Sequence, residues 1–185
     1  MSQVDVPHLL ASTGALLSGH FQLTSGRHSG QYIEKFRIME DPAATTALCS
    51  LIAAHYRPAA PTVVVGPAMG GVILAFETAR QLGRRAVFAE KADDDLRFDR
   101  GFEVRPEDRV LVVDDVLTTG GSVRKLLRLL AGLGAEVVGV GFLVDRSGGA
   151  VDFGVPFYAC HTMTIESYDP AACPLCAQGL PLVVT

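Results

Sequence analysis

No uninterrupted apolar run in this 185-residue sequence approaches the roughly 18 residues of a membrane-spanning helix. The opening MSQVDVPHLL has no basic stretch and no apolar segment of signal-peptide length, so no secretory leader is expected. Basic residues are not in surplus: 16 Lys and Arg stand against 20 Asp and Glu, and the net charge is −4. A broad cationic face for nucleic acid or for a membrane is therefore not expected, which leaves room only for a local basic pocket. Four cysteines in a chain of this size do not make a disulfide framework. Internal repeats and low-complexity tracts are lacking. What remains is 49% hydrophobic and 19% charged, a globular composition, and the length suits one domain that buries its own core. A soluble cytoplasmic protein is expected from these features.

Two patterns alternate along the chain. Short β-branched runs occur at Thr62–Val65, Arg85–Phe88, Val110–Val113 and Val137–Val144. Helical stretches separate them. One starts at Asp41-Pro42, an N-cap followed by proline at the first helical position, and runs to about Tyr56. Another spans about Gly71–Leu82 and stops at Gly83; a third spans about Ser122–Leu133 and stops at Gly134. Near-continuous apolar strands alternating with helices predict an α/β fold, a central, mostly parallel sheet flanked by helices on both faces. A short helix is expected near Val6–Leu17, and one more strand in FYACHTMTI after Pro156. The core is assigned to about 41–155. The ends, about 1–40 and 156–185, are expected to form a small hood over it.

The most informative stretch is VLVVDDVLTTGGSV, Val110–Val123. An apolar strand reaches Asp114 and Asp115, continues through Val116 and Leu117, and opens a helix through Thr118-Thr119-Gly120-Gly121-Ser122. In a parallel sheet, ligands bind beyond the carboxyl ends of the strands. A helix start offers unpaired N–H groups and a partial positive charge, which suits a phosphate. Alone, TTGGS is as well explained by a tight strand-to-helix turn. The run is neither a nucleotide P-loop, having no lysine, nor a G-x-G-x-x-G turn. The aspartates tip the balance. Carboxylates beside an anion site must face something else, and ribose hydroxyls or a water-held magnesium ion answer that need. A ligand with one phosphate and a neighbouring diol is a ribose 5-phosphate.

The same stretch resembles the phosphoribosyl pyrophosphate (PRPP) motif of the type I phosphoribosyltransferases. The resemblance implies that Val116–Ser122 grip the 5-phosphate while Asp114 and Asp115 face the ribose. It also implies magnesium carried by PRPP, with no direct protein ligand and at most a water bridge to either aspartate. GPAMGGVILA, residues 66–75, is a second strand-to-helix turn whose backbone N–H groups could hold pyrophosphate, and the family uses it so through positions matching Ala68, Met69, Gly70 and Gly71. Some members carry a lysine where Gly70 stands. FQLTSGRHSGQY, residues 21–32, is similar to a signature of the orotate-using branch. Thr24 and Tyr32 there are candidates for a planar polar base, and a plain surface hairpin is the competing reading. In LVDRSGG, residues 143–149, Arg146 matches the arginine that pairs with the orotate carboxylate, and Thr118 borders the same place. The implied reaction joins orotate to PRPP.

Residues 88–104, FAEKADDDLRFDRGFEV, correspond to the family's mobile loop. Lys91 matches a PRPP-binding lysine. A second lysine and a histidine common in that loop are lacking, and Asp93-Asp94-Asp95 and Leu96 stand there instead; composition alone makes the polar stretch Ala92–Arg100 a solvated loop. Arg97 and Arg100 are the remaining cations, so Lys91, Arg97 and Arg100 are the catalytic candidates. The family's loop reaches a neighbouring subunit, which implies a homodimer. Cys173-Pro174-Leu175-Cys176 has zinc-knuckle or redox spacing but no second CxxC. Cys160 and His161 are the residues that would complete a four-ligand set, and a packed turn with two thiols is the preferred reading. His20 and His28 lie in the base-side segment.

Overall fold

The computed structural model describes residues 4–185, so the first three residues of MSQVDVPHLL lie outside it. The elements run in the order α1 (Val6–Ser12), β1 (Leu16–Gln22), β2 (His28–Ile33), α2 (Phe36–Met39), α3 (Pro42–Tyr56), β3 (Val63–Pro67), α4 (Gly70–Leu82), β4 (Arg85–Ala92), β5 (Asp95–Arg97), β6 (Arg109–Leu117), α5 (Gly121–Gly132), β7 (Glu136–Asp145), β8 (Phe157–Thr162), α6 (Pro174–Ala177) and β9 (Val183–Val184). No described helix is long and apolar enough to cross a membrane.

Six strands form the main sheet in the order β5-β4-β3-β6-β7-β8. All neighbours are parallel except the β4–β5 pair. Successive side chains of a strand point to opposite faces, and here both faces are buried. Val64, Leu111 and Val113 therefore join one core with Leu48 and Ile52 of α3 and Leu74 of α4. Val63, Val65, Val110 and Val112 join the other with Val123, Leu126 and Leu130 of α5. The expected caps form. The Asp41 carboxylate accepts from the N–H groups of Ala43 (2.9 Å) and Ala44 (3.1 Å), and Gly83 ends α4 at φ +67°.

Three expectations change. The N-terminal helix stops at Ser12, not Leu17, because Gly14 at φ +67° turns the chain and Leu16 begins β1. The strand after Pro156 belongs to the main sheet, paired with β7, so the C-terminal part of the hood begins after it and not at 156. α1 likewise packs into the main core through Val6 and Leu10. What stands apart is a second sheet, β2-β1-β9, in which β1 and β2 form an antiparallel hairpin and β9 lies parallel to β1. The polar stretch Ala92–Arg100 is not a plain loop either. Its Leu96 is buried against the α5-side core and sits opposite Lys91, which makes β4 and β5 a hairpin.

Candidate active site

β3 and β6 are adjacent, and the chain leaves them toward opposite edges of the sheet, so a crevice opens at their carboxyl ends. Thr118 and Thr119 lie exposed just beyond β6. Gly120 follows at φ +74° as the N-cap of α5, with no side chain capping the helix. The first N–H groups of α5 are thus left for a ligand. A Cβ on Gly120 would lie 2.8 Å from the Phe153 ring, so both backbone angle and space demand glycine there.

Asp114 and Asp115 differ in environment. Asp115 is buried; one of its oxygens accepts from the Val116 N–H at 2.7 Å and the other pairs with Lys35 Nζ at 2.8 Å. Burial alone would lower the Lys35 pKa, but the hydrogen bond and charge of Asp115, backed by Asp114, outweigh it and hold the ammonium above its ordinary value. Asp114 accepts only from the Asp115 N–H (2.9 Å), and no cation is paired with it among the described residues. Burial, and then the charge of Asp115, push the Asp114 carboxyl up to about 7. The two carboxylates are not part of any group of three or more metal-ligating side chains among the described residues. A magnesium ion that keeps its waters and takes most ligands from substrate phosphates fits such a pair.

The second turn faces the first. The Ala68 N–H donates to the Ala89 carbonyl (2.8 Å), the Ala68–Met69 peptide is cis, and α4 starts at Gly70. A Cβ on Gly70 would stand 1.9 Å from the Asp115 carboxylate, so this glycine lets the two loops approach. A lysine at Gly70 could not be accommodated without moving Asp115.

A cavity of about 560 Å³ adjoins the phosphate loop, and Thr24, Tyr32, Thr118 and Arg146 all line it, with Thr119 and Thr185. All four residues proposed for the base thus share one cavity. The competing readings of residues 21–32 merge: the segment is a hairpin, and its turn is a wall of the cavity. That turn is tight, with Leu23 N–H donating to the Arg27 carbonyl (2.8 Å) and Gly26 at φ +77°. Arg146 follows β7 directly. Its N–H donates to the Leu117 carbonyl (2.9 Å), and the Asp145 carboxylate accepts from the Ser147 N–H (2.8 Å), which turns the chain. Burial pulls the Arg146 guanidinium below its ordinary pKa, and the one opposing influence is Tyr32. No carboxylate pairs with it among the described residues.

The loop cations stand differently. Arg97 is held by Asp99 (2.6 Å) and Arg100 by Glu90 (2.5 Å), both strongly exposed. The hairpin leans on α5, where Lys125 donates to the Asp94 carbonyl. Lys91 is exposed. Cys160 donates to the Leu48 carbonyl (3.4 Å) and His161 borders a cleft beside Val4–Pro7, so neither completes a set with Cys173 and Cys176. His20 and His28 are buried and turn toward those two cysteines, away from the base cavity. Lys35 is the site residue missing from the sequence reading; a basic residue closing the hairpin segment was its only signal.

The fold and the paired loops define a phosphoribosyltransferase, and residues 37–169 match the Phosphoribosyl transferase domain. An orotate phosphoribosyltransferase of Desulforamulus reducens is 45% identical over 183 residues, 99% of this chain and 96% of that one. One of Carboxydothermus hydrogenoformans is 47% identical over 97% of this chain and 95% of its own. The crystal structure of orotate phosphoribosyltransferase from Aeropyrum pernix superposes with a TM-score of 0.68 at 31% identity, covering 85% of this chain and 93% of that one. The chain belongs to the orotate phosphoribosyltransferase family.

Proposed function

We propose that this chain transfers the 5-phosphoribosyl group of PRPP to orotate, giving orotidine 5′-monophosphate and pyrophosphate in pyrimidine synthesis. The observation that carries the choice of base is Arg146, an arginine without a carboxylate partner among the described residues, in the wall of a cavity beside the phosphate loop. A planar base bearing a carboxylate supplies the missing anion. Thr24, Tyr32 and Thr118 complete its surroundings.

The N–H groups at the start of α5 and the hydroxyls of Thr118, Thr119 and Ser122 hold the 5-phosphate, with Val116 and Leu117 fixing the loop to the strand. Asp114 and Asp115 face the ribose hydroxyls. Asp115 is committed to Lys35, so Asp114 is the freer acceptor. Backbone N–H groups of Ala68–Gly71 hold the pyrophosphate, and Lys91 adds a charge to it. Asp114 or Asp115 would hold, through water, the magnesium that PRPP carries, and the ion would supply charge neutralisation for the pyrophosphate. The bond at the anomeric carbon breaks with inversion through an oxocarbenium-like state, and the chain works mainly by positioning and by excluding water. The setting we infer is the cytoplasm, where the four free cysteines stay reduced. Pyrophosphate release from PRPP and magnesium should be seen with orotate and not with adenine or uracil; activity with adenine alone overturns the reading.

The active unit is a homodimer in this proposal, with residues 88–104 reaching the neighbouring site. An apolar groove lined by Met39, Val72, Ile73 and Phe76, with Phe76 65% exposed, offers a surface for a second copy. For Arg97 or Arg100 to meet pyrophosphate, each must leave its partner carboxylate, an exchange of small cost for cations this exposed. Lys91→Ala and Arg97→Ala are each expected to lower turnover about 10–100-fold with the fold intact, the size of a lost charge-assisted contact. Mixing Arg97→Ala with Arg146→Ala subunits should restore about a quarter of native activity, since half of random dimers are mixed and each has one intact site. No restoration on mixing assigns the loop to its own subunit, and unchanged turnover in both single variants removes the loop's role.

A further inference from the structure

We propose that His20, His28, Cys173 and Cys176 bind one zinc ion that staples the hood together. Their ligand atoms all lie within 4.8 Å of one another. His20 Nε2 is 3.0 Å from His28 Nδ1, 3.6 Å from Cys173 Sγ and 3.7 Å from Cys176 Sγ, and Cys176 Sγ is 3.3 Å from His28 Nδ1. Zinc bonds of ordinary length at tetrahedral angles set neighbouring ligand atoms about 3.3 Å apart for two nitrogens and about 3.5 Å for nitrogen and sulfur. These four separations lie within about 0.3 Å of those spacings.

The protonation pattern also fits. His20 Nδ1 lies 2.9 Å from the Leu180 carbonyl, which can only accept. The ring proton is therefore on Nδ1, and the Nε2 lone pair points into the cluster, the orientation a ligating histidine takes from its outer partner. Two imidazoles and two thiols in a small, largely buried space match zinc, and not the all-oxygen surroundings of magnesium.

The four residues come from β1, β2 and the segment around α6, so the ion would join parts of the chain 148 residues apart. The hood has reason to need it. Its third strand, β9, is two exposed residues, and the C-terminal coil is otherwise attached by a few bonds such as Arg27 to Ser167 and Ser29 to the Glu166 carbonyl. A small module with little core gains most from a metal clip. Because the β1–β2 turn carries Thr24 and the chain end places Thr185, the clip would also fix the wall of the base cavity.

The test reads metal directly and needs no substrate, so it stands apart from the assignment of the reaction. Untagged full-length protein from zinc-supplemented cells should hold about one zinc per chain after dialysis, by elemental analysis. Cys173→Ser/Cys176→Ser should lose it, and Cys160→Ser should keep it. Apo protein titrated with Co²⁺ under reducing conditions should show tetrahedral visible bands and a thiolate charge-transfer band that saturate at about one equivalent. Removing the zinc should speed amide exchange in β1, β2 and β9 while β3 and β6 stay protected. A zinc-free native protein without cobalt bands overturns the proposal, as does zinc retained by the double-serine variant. The cobalt titration uses the native chain, so it decides the matter even if the double variant misfolds.

Discussion

Arg146→Ala is expected to raise the orotate KM by two to three orders of magnitude while the PRPP KM moves little. The guanidinium lies in a cavity wall, is drawn down in pKa by burial, and has no protein carboxylate to pair with among the described residues. Its backbone is fixed by the bond from its N–H to the Leu117 carbonyl, so the side chain starts from a rigid strand end. Breaking a desolvated, bidentate ion pair by removing one partner costs about 3–5 kcal/mol. That converts to roughly 150-fold or more in affinity. Arg146→Lys should recover only part of it, because an ammonium lacks the planar fork that matches a carboxylate.

The sharper reading is a ratio. Uracil lacks the carboxylate, so in the native protein it would leave Arg146 buried and unpaired. Arg146→Ala removes that penalty, and the preference for orotate over uracil in kcat/KM should collapse. Steady-state kinetics with both bases on native and variant protein would show it. A fall in orotate kcat/KM of less than about fivefold, below the worth of one charge-assisted hydrogen bond, would place the orotate carboxylate elsewhere.

What the sequence made legible was local. Strand, aspartate pair, hydroxyls and glycine lie within one run of chain, and β6 and α5 have no freedom but to present them at the crevice. Arg146 was legible for the same reason, since it follows a strand whose apolar run ends visibly at Asp145. The helices with strong boundary residues, Asp41-Pro42 and Gly83, formed where expected. What stayed hidden depends on distant partners. Lys35 matters because the hood brings it to Asp115, and no periodicity encodes that approach. The triple aspartate suggested a solvated loop, yet the single buried Leu96 is enough to fold it back on β4. The two cysteines looked for partners near them in sequence, Cys160 and His161, but β8 carries those into the main sheet. The side chains that face them are His20 and His28 of the hairpin, which by sequence lie in the base-side segment. In each case the missing information was which sheet a segment joins.

Asp114→Asn is expected to do two opposite things: stabilise the ligand-free protein above neutral pH and weaken its use of PRPP. Asp114 is raised from an ordinary 3.8 to about 7 by burial and by the adjacent Asp115. Below pH 4 the group is protonated in folded and unfolded chains alike and contributes no difference. Between about pH 4 and 7 the unfolded chain releases the proton and the folded one keeps it, so stability falls as pH rises. Above pH 7 the full penalty is present, on the order of 4 kcal/mol for a shift of this size. Asparagine keeps the oxygen that accepts the Asp115 N–H and carries no charge. Its gain over the native protein should therefore be largest near pH 8 and vanish near pH 4, as read by denaturant unfolding in magnesium-free buffer without PRPP. The same change removes the freer carboxylate of the pair. Hydrogen bonds to a charged acceptor contribute about 1.5–3 kcal/mol each, so kcat/KM for PRPP should drop at least tenfold. Stability held back at a residue that binding requires is the expected signature of a functional site. A variant no more stable than the native protein at pH 8 would contradict the burial of this charge, and one that is stabilised with unchanged PRPP kinetics would separate Asp114 from the substrate.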